Sequence, residues 1–231
     1  MKNEKMLERC LELALYLSEE ERARFDLYQA KPDFDGYGIA GILAALVHEL
    51  KADIATETCK SSGKLGALNA AKRIIKSAKN GPRSALYGSW MEGDLQCYCD
   101  GYRAVRLREA LPTESIPAGT MPMSIAEVVE NGRRNMGEVL SLPTIPELKA
   151  HIKIGKVTNK FNNRGDRVEY DFGEGLPLVN AEYLLDMLEL LPGCTATAAK
   201  YSPHLGAIYF EAEGGDGILL PVRRDAEKKV S

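Results

Sequence analysis

Two cysteines separated by one residue, Cys97 and Cys99, are the first candidates for chemistry in this 231-residue chain. In an extended strand they share one face, where two thiolates could bind a metal ion or form a redox couple. A metal site needs a second pair of ligands at suitable spacing. The chain has no CxxC pair, and its three histidines are scattered at 48, 151 and 204. We therefore interpret the pair as part of a small buried apolar face, and we expect no metal and no cofactor.

Two other segments resemble known ligand loops in composition only. Residues 59–64 contain Gly63-Lys64, but the GxxxxGK[ST] pattern of a phosphate loop is absent and no apolar strand precedes it. Residues 213–217 carry two carboxylates among glycines, which a hairpin turn explains better than a cation site. Spacing alone pairs no carboxylates for acid–base work and assembles no Ser–His–Asp set. The sequence therefore favours a protein without catalysis.

The middle of the chain carries an excess of positive charge. Residues 1–60 hold 8 basic and 12 acidic groups, residues 61–112 hold 9 and 4, and the remainder holds 13 and 17. A helix predicted over 64–79 gathers its apolar side chains on one side, and four cations lie on its flank and far side: Lys72, Arg73, Lys76 and Lys79. Two interpretations remain open, a surface for a polyanion and an ordinary solvated helix face.

The first sixty residues predict a small helical segment. A helical apolar stripe runs from Met6 to Leu17, Ser18 and Glu21 form a capping-box pattern, and a third helix is expected over 39–51. These short amphipathic helices must bury their apolar faces, so we interpret domain 1–60 as a helical subdomain or an oligomerisation element.

The rest of the chain predicts an α+β domain over 61–226. The helix at 64–79 precedes strands at 84–90, 95–99 and 102–107, and a helix at 179–191 precedes strands at 195–201, 207–212 and 218–223. An insert at about 108–166 separates these two blocks. We predict it to be irregular, with a helix over 124–136 and, after Pro143 and Pro146, a strand over 147–156. A further strand is expected over 167–172.

Overall composition excludes several classes of protein. Apolar residues make up 45% of the chain and charged residues 27%, values typical of a folded domain. No run approaches the roughly 18 uninterrupted apolar residues of a membrane helix, and no secretory signal is visible at the start. Five cysteines without a CxxC pair favour a reducing compartment, so we expect a cytoplasmic protein with no membrane partner.

Three segments together resemble one family. The run VNAEYLLDML at 179–188 resembles the helix in the last domain of bacterial DNA polymerase sliding clamps (the β subunit), where an Asn precedes a Tyr-hydrophobic-Leu-Asp-hydrophobic-Leu run. The ending GILLPVR at 217–223 is similar to the clamp ending, and CDGYRAV at 99–105 is similar to its Asp-Gly-(His/Tyr)-Arg stretch. The resemblance covers about 64–107 and 167–223.

This resemblance implies a DNA-clamp-like fold of two helix-plus-three-strand repeats and a non-catalytic accessory role in DNA replication. In that family the helices line a hole for duplex DNA, so the DNA-facing residues would be Lys72, Arg73, Lys76 and Lys79. The family's two border stretches form a pocket for hydrophobic peptides of replication partners, which corresponds here to Gly101, Tyr102, Arg103, Ala104, Leu220, Pro221 and Val222. The strands at 95–99 and 218–223 would then lie in outer sheets that pair edge to edge in a homo-oligomer.

The chain departs from the family in three respects. It contains one clamp-like domain where a bacterial clamp has three, and the family's pocket lies between neighbouring domains. The second helix carries Glu182, Asp186 and Glu189 on one face, which would repel phosphates. The helical first sixty residues have no counterpart in clamps. Two alternatives therefore stay open: a clamp-fold interaction module that does not bind DNA, and a small-molecule enzyme with its site in the insert.

Overall fold

The computed structural model describes residues 2–30, 38–80, 87–116, 124–161 and 167–223. The chain divides into two compact units, Met1–Leu65 and Gly66–Ser231. Helices and antiparallel strands are both abundant, so the fold class is α+β as predicted. Among the described residues, no helix has the length and apolar character needed to cross a bilayer.

The first unit is helical. It contains α1 (Lys2–Ala14), α2 (Glu19–Ala30) and α3 (Ile39–Ser61). The Ser18 hydroxyl accepts a hydrogen bond from the Glu21 amide at 3.3 Å, as the capping pattern predicts. Helix α3 continues ten residues beyond the predicted end at Lys51, because no Gly or Pro follows in that stretch to stop it. Apolar side chains from all three helices form one core, with Cys10, Phe25 and Val47 among its members.

The second unit is built around one large sheet. Its helices are α4 (Leu65–Asn80), α5 (Ala126–Arg134), α6 (Ile145–Phe161) and α7 (Ala181–Leu190). Its strands are β1 (Trp90–Glu92), β2 (Leu95–Cys99), β3 (Arg103–Leu107), β4 (Met136–Val139), β5 (Glu169–Asp171), β6 (Leu178–Asn180), β7 (Thr195–Ala199), β8 (Ile208–Ala212) and β9 (Gly215–Leu219). Residues 84–86 of the strand predicted at 84–90 lie outside the described residues, and within 87–90 only Trp90 belongs to a strand.

Seven strands pair antiparallel in the order β1-β2-β3-β9-β8-β7-β4, and β5 pairs with β6 in a separate two-stranded sheet. The middle of the large sheet is the β3–β9 pair, in register from Arg103 opposite Leu219 to Leu107 opposite Gly215. On each side of this pair lie the two other strands of one block: β2 and β1 on one side, β8 and β7 on the other. The strand order is therefore symmetrical about β3–β9, except for the added strand β4.

Helices cover both faces of the sheet. Alternate strand residues such as Tyr98, Val105 and Phe210 pack against α4 and α7 in one core. Their neighbours along the strands, such as Cys97, Ala104 and Tyr209, pack with Ile125 and Val129 of α5 in a second core on the opposite face. Gly132 lets α5 lie close to the sheet, since a Cβ there would be 2.9 Å from a methyl carbon of Ile218.

The structure corrects the prediction for residues 147–156. They form most of helix α6, not a strand, and the insert predicted to be irregular contains α5, β4 and α6. Thr144 and Glu147 form a reciprocal capping box, in which the Glu147 carboxylate accepts hydrogen bonds from the Thr144 amide (2.8 Å) and hydroxyl (2.7 Å). Pro146 lies in the first turn of the helix, where its missing amide hydrogen costs nothing.

Two predicted strand placements are also wrong. The last strand begins at Gly215 and ends at Leu219, so residues 214–217 are not all turn and residues 220–223 are not strand. The strands predicted to pair edge to edge across subunits, β2 and β9, are both interior, each paired with a neighbour on both sides. The edges of the sheet are β1 and β4.

Candidate functional site

The candidate site lies on the helical layer formed by α4 and α7. Asn180 begins α7, and its side-chain oxygen accepts a hydrogen bond from the Glu182 amide at 2.9 Å, which satisfies one of the open donors of the first turn. The two helices run antiparallel, because Gly66 near the start of α4 lies beside Glu189 near the end of α7. A groove of about 240 Å³ lies between the end of α4 and the start of α7.

Asp186 is the centre of an ion-pair network under this groove. Its carboxylate accepts from Arg73 of α4 (Nε–Oδ1 2.6 Å) and from the buried Arg103 of β3. Arg103 also lies 3.2 Å from the buried Asp100 carboxylate and stacks its guanidinium 4.1 Å from the centre of the Tyr183 ring. The network therefore connects both helices to the middle of the sheet.

The other two carboxylates of α7 are also paired. The Glu189 carboxylate forms ion pairs with Arg73 (N–O distance 2.6 Å) and with Lys149 of α6 (2.7 Å). The Glu182 carboxylate forms an ion pair with Lys156 of α6 (2.6 Å). Lys149 and Lys156 lie two helical turns apart, as do Glu182 and Glu189, so α6 and α7 match each other in antiparallel register. The acidic face of α7 that the sequence predicts is thus neutralised within the unit.

Burial and pairing act in opposite directions on the pKa values in this network. Burial raises the pKa of the Asp186 carboxyl by more than the charges of Arg103 and Arg73 lower it. Burial also opposes the charge on Arg73, but Asp186 and Glu189 together raise the pKa of its guanidinium. Arg73 is therefore a permanent cation committed to its two carboxylates.

The four predicted DNA-facing residues separate into two groups. Lys72 and Lys76 are exposed on α4, and no described residue forms an ion pair with either one. Lys79 is exposed with its ammonium 5.3 Å from the centre of the Tyr87 ring. Arg73 is held by Asp186 and Glu189, so it contributes structure more than surface charge. Among the described residues, Lys72 and Lys76 therefore carry the positive charge of α4 that is not held in an ion pair or against a ring.

The groove combines residues that the sequence analysis selected with three that it did not, Ser77, Asn80 and Tyr183. It is lined by Arg73, Lys76, Ser77 and Asn80 of α4, Glu182, Tyr183 and Asp186 of α7, and Arg103 of β3. The signal for the α4 members was available, because residues 73, 76, 77 and 80 recur at the helical period. The contribution of Tyr183 was not predictable, since it depends on the approach of β3 to α7.

The two halves of the predicted peptide pocket are neighbours within one unit. The Leu220 amide donates to the Tyr102 carbonyl at 2.8 Å, and the Val222 amide donates to Leu178. Tyr102 is 49% exposed and Leu220 41%, whereas Arg103 and Ala104 are buried. Gly101, Pro221 and Val222 are half-buried. In this chain the two stretches therefore meet within one unit, without the second domain that the family's pocket uses.

Tyr102 extends this exposed region toward the groove. Its ring centre lies 6.0 Å from that of Tyr183, which itself lines the groove. Aromatic and apolar surface at Tyr102 and Leu220 thus adjoins the polar groove between α4 and α7.

The cysteine pair lies in the core, as interpreted from the sequence. Cys97 and Cys99 are both buried in the cluster on the α5 face of the sheet, and burial raises the pKa of the Cys97 thiol to about 12. A thiol in this state is a poor nucleophile and a poor metal ligand. Within the described ranges, no three His, Cys, Asp or Glu side chains come together to hold a metal ion.

Comparison of this chain with protein-family models, with curated proteins and with solved structures finds no match.

Proposed function

We propose that this chain is a non-catalytic, sliding-clamp-like accessory protein of DNA replication, and that it binds duplex DNA with the outer face of α4. One observation carries the proposal. In the helical layer the carboxylates of α7 are all bound to cations, while Lys72 and Lys76 of α4 point into solvent without an ion-pair partner among the described residues. The outer face of α4 therefore presents positive charge that the unit itself does not use.

Lysine is suited to this role because a protein that moves along DNA needs diffuse attraction to phosphates and no hydrogen bonds to base edges. The strand order, symmetrical about β3–β9 with α4 and α7 together on one face, supports the clamp-like interpretation of the repeats. Helix α5 on the opposite face has no counterpart in the predicted scheme, in which the sheet would be the outer surface.

Charge reversal on α4 tests the DNA half of the proposal. The variant carrying Lys72→Glu and Lys76→Glu should bind duplex DNA at least about tenfold more weakly than the unmodified chain. The slope of log affinity against log salt concentration should fall by about two. Fluorescence anisotropy of a labelled duplex at several salt concentrations measures both quantities.

A matched control reverses two cations on the other face of the sheet. Arg133 and Arg134 of α5 are exposed and pair only with Glu130 in the described structure, so Arg133→Glu with Arg134→Glu changes the net charge equally. DNA binding should survive in this control. Equal loss in both double variants, or the absence of salt-dependent binding, would contradict a DNA face on α4.

The adjacency of Tyr102 and Leu220 favours a second function, capture of a hydrophobic peptide from a replication partner. A clamp-binding peptide should bind saturably, and Leu220→Ser should weaken binding by about tenfold or more, since an exposed apolar anchor supplies much of such an interaction. Leu205→Ser is the control because Leu205 is similarly exposed in the turn after β7. Isothermal titration calorimetry distinguishes the outcomes, and equal affinities for the two variants would contradict the proposed pocket.

A further inference from the structure

Helix α6 presents an apolar ridge on the face opposite its own core contacts. Leu148 and Ile152 are buried against the rest of the unit. On the outer side, Ile154 is 67% exposed, Val157 68% and Phe161 90%. Three large apolar side chains on one helix, all mostly in water, are costly unless the ridge meets a partner.

The spacing of the ridge matches a coiled-coil seam. Ala150, which is also exposed, precedes Ile154 by four residues, Val157 follows by three and Phe161 by four. This alternation places the four residues at successive d, a, d and a positions over nearly two heptads. A ridge of this kind packs against an equivalent stripe on a second helix.

Charge beside the seam defines the partner. Lys153 and Lys160 occupy the two g positions, and no described residue forms an ion pair with either. The lysines one position further round the helix, Lys149 and Lys156, are already bound to α7. The e positions hold His151, which is hydrogen-bonded to the Glu169 carbonyl, and Thr158, bonded to the Ile154 carbonyl. The flank of the seam is therefore positive on one side and carries no carboxylate.

We propose that the outer face of α6 is a docking surface for an acidic amphipathic helix of a partner protein. Apolar a and d residues of that helix would cover Ile154, Val157 and Phe161, and its carboxylates would pair with Lys153 and Lys160. Residues at e and g select partners in coiled coils, so carboxylates at the facing positions are the matching chemistry. This surface is separate from α4 and goes beyond the proposed DNA binding.

A second copy of α6 does not satisfy the same chemistry. In parallel pairing, Lys153 and Lys160 would face the e positions, which offer His151 and Thr158 and no carboxylate. In antiparallel pairing the g positions would face each other, and lysine would oppose lysine. The seam therefore favours a different helix over self-association.

Other polyanions fit the ridge less well. A phosphate backbone could pair with the lysines but would leave the three apolar side chains in water. A helix lying in a membrane surface buries a broad apolar face, whereas this ridge is narrow and has cations on one flank only.

A synthetic helical peptide of about three heptads, with Leu at a and d and Glu at e and g, is the direct probe. The matched peptide carries Lys at e and g. Fluorescence anisotropy with the full chain should give an affinity for the Glu peptide at least about tenfold higher than for the Lys peptide. The variant Lys153→Glu with Lys160→Glu should reverse this preference, and Val157→Asp should abolish binding of both peptides.

The controls keep this test independent of DNA binding. Residues 153, 157 and 160 are exposed, so these variants should unfold at the temperature of the unmodified chain, which circular dichroism checks. The Lys72→Glu/Lys76→Glu variant has the same change of charge and should bind the Glu peptide normally. Equal affinity for the two peptides, or binding that persists in Val157→Asp, overturns the proposal. Failure to bind either peptide also overturns the proposal. This holds whether or not the chain shows Val157-dependent binding to phosphatidylserine vesicles.

Discussion

The individual residues that matter most in the second unit are buried and charged. Asp186 neutralises Arg103, which lies fully inside the unit, and also holds Arg73 at the surface. Removing one member of such a pair leaves an uncompensated buried charge, so these residues constrain one another. The resemblance to sliding clamps implies a peptide-pocket role for Arg103, and the spacing of the carboxylates predicts a repulsive acidic face that includes Asp186. Neither prediction pairs the two residues, because the approach of β3 to α7 cannot be inferred from spacing.

The buried thiol of Cys97 should make the free energy of unfolding of the second unit fall at alkaline pH. Burial keeps its thiol neutral and, with the nearby Glu92 charge, raises its pKa to about 12, whereas an unfolded thiol ionises near a pKa of about 8.5. Between these values the unfolded chain releases its proton first, so the free energy of unfolding falls as pH rises. Between about pH 8 and about pH 10 this thiol should account for a loss of about 2 kcal/mol.

Urea unfolding of the unmodified chain and of Cys97→Ala at both pH values isolates this contribution. The variant should start less stable because it leaves a small cavity, but its stability should decline less between the two pH values. Parallel declines in the two proteins would show that the thiol of Cys97 ionises as readily when folded as when unfolded.

Among the elements, α4 and α7 were predictable and α6 was not. The apolar side chains of α4 recur at the helical period of 3.6 residues, which predicts that helix. Asn180 is a strong N-cap, which predicts where α7 begins. In α6 the two apolar faces, one buried and one exposed, leave no clear amphipathic period. The decisive signal was Thr144-Ile-Pro-Glu147, a capping box with proline in the first turn, but the prolines were interpreted as ending regular structure.

The cap of α6 can be tested directly. Thr144→Ala removes the hydroxyl that accepts from the Glu147 amide at 3.4 Å and donates to its carboxylate, so the free energy of unfolding should fall by about 1 kcal/mol. The control, Thr158→Ala, removes a hydroxyl from the exposed last turn of the same helix and should change stability by less than about 0.5 kcal/mol. Chemical denaturation measures both; a larger effect at residue 158 would contradict the assigned helix start.

For the whole molecule, the two-unit organisation was predicted near Cys59–Gly63, and the units divide at residues 65 and 66. The prediction rests on composition and helical patterning, because a polar, glycine-containing stretch follows the helical segment. The order of strands was not predictable. Pairing of β3 with β9 joins segments more than one hundred residues apart, and two-residue periodicity specifies which face a residue occupies but not which strand lies beside it.

The second unit should fold without the first. Every member of its two buried clusters follows Leu65, and the helical unit has a separate cluster confined to residues 7–50. A fragment spanning 64–223 should therefore show a single cooperative urea transition by circular dichroism and dispersed amide signals by NMR. A fragment that unfolds gradually would show that the cores are not independent.

The two edge strands of the large sheet, β1 and β4, affect how the chain behaves at high protein concentration. Strand β1 is only three residues long, and the backbone of Glu114 and Ile116 bonds to Ser89 immediately before it. At the far margin the pairing of β4 with β7 is irregular between Met136 and Val139, where Gly137 passes so close to Lys200 that a Cβ would lie 2.7 Å from its Cα. One edge strand is short and the other is kinked, so neither offers another molecule a long straight strand to pair with. Concentrated solutions of the protein should therefore not form amyloid-like fibrils by stepwise addition of strands.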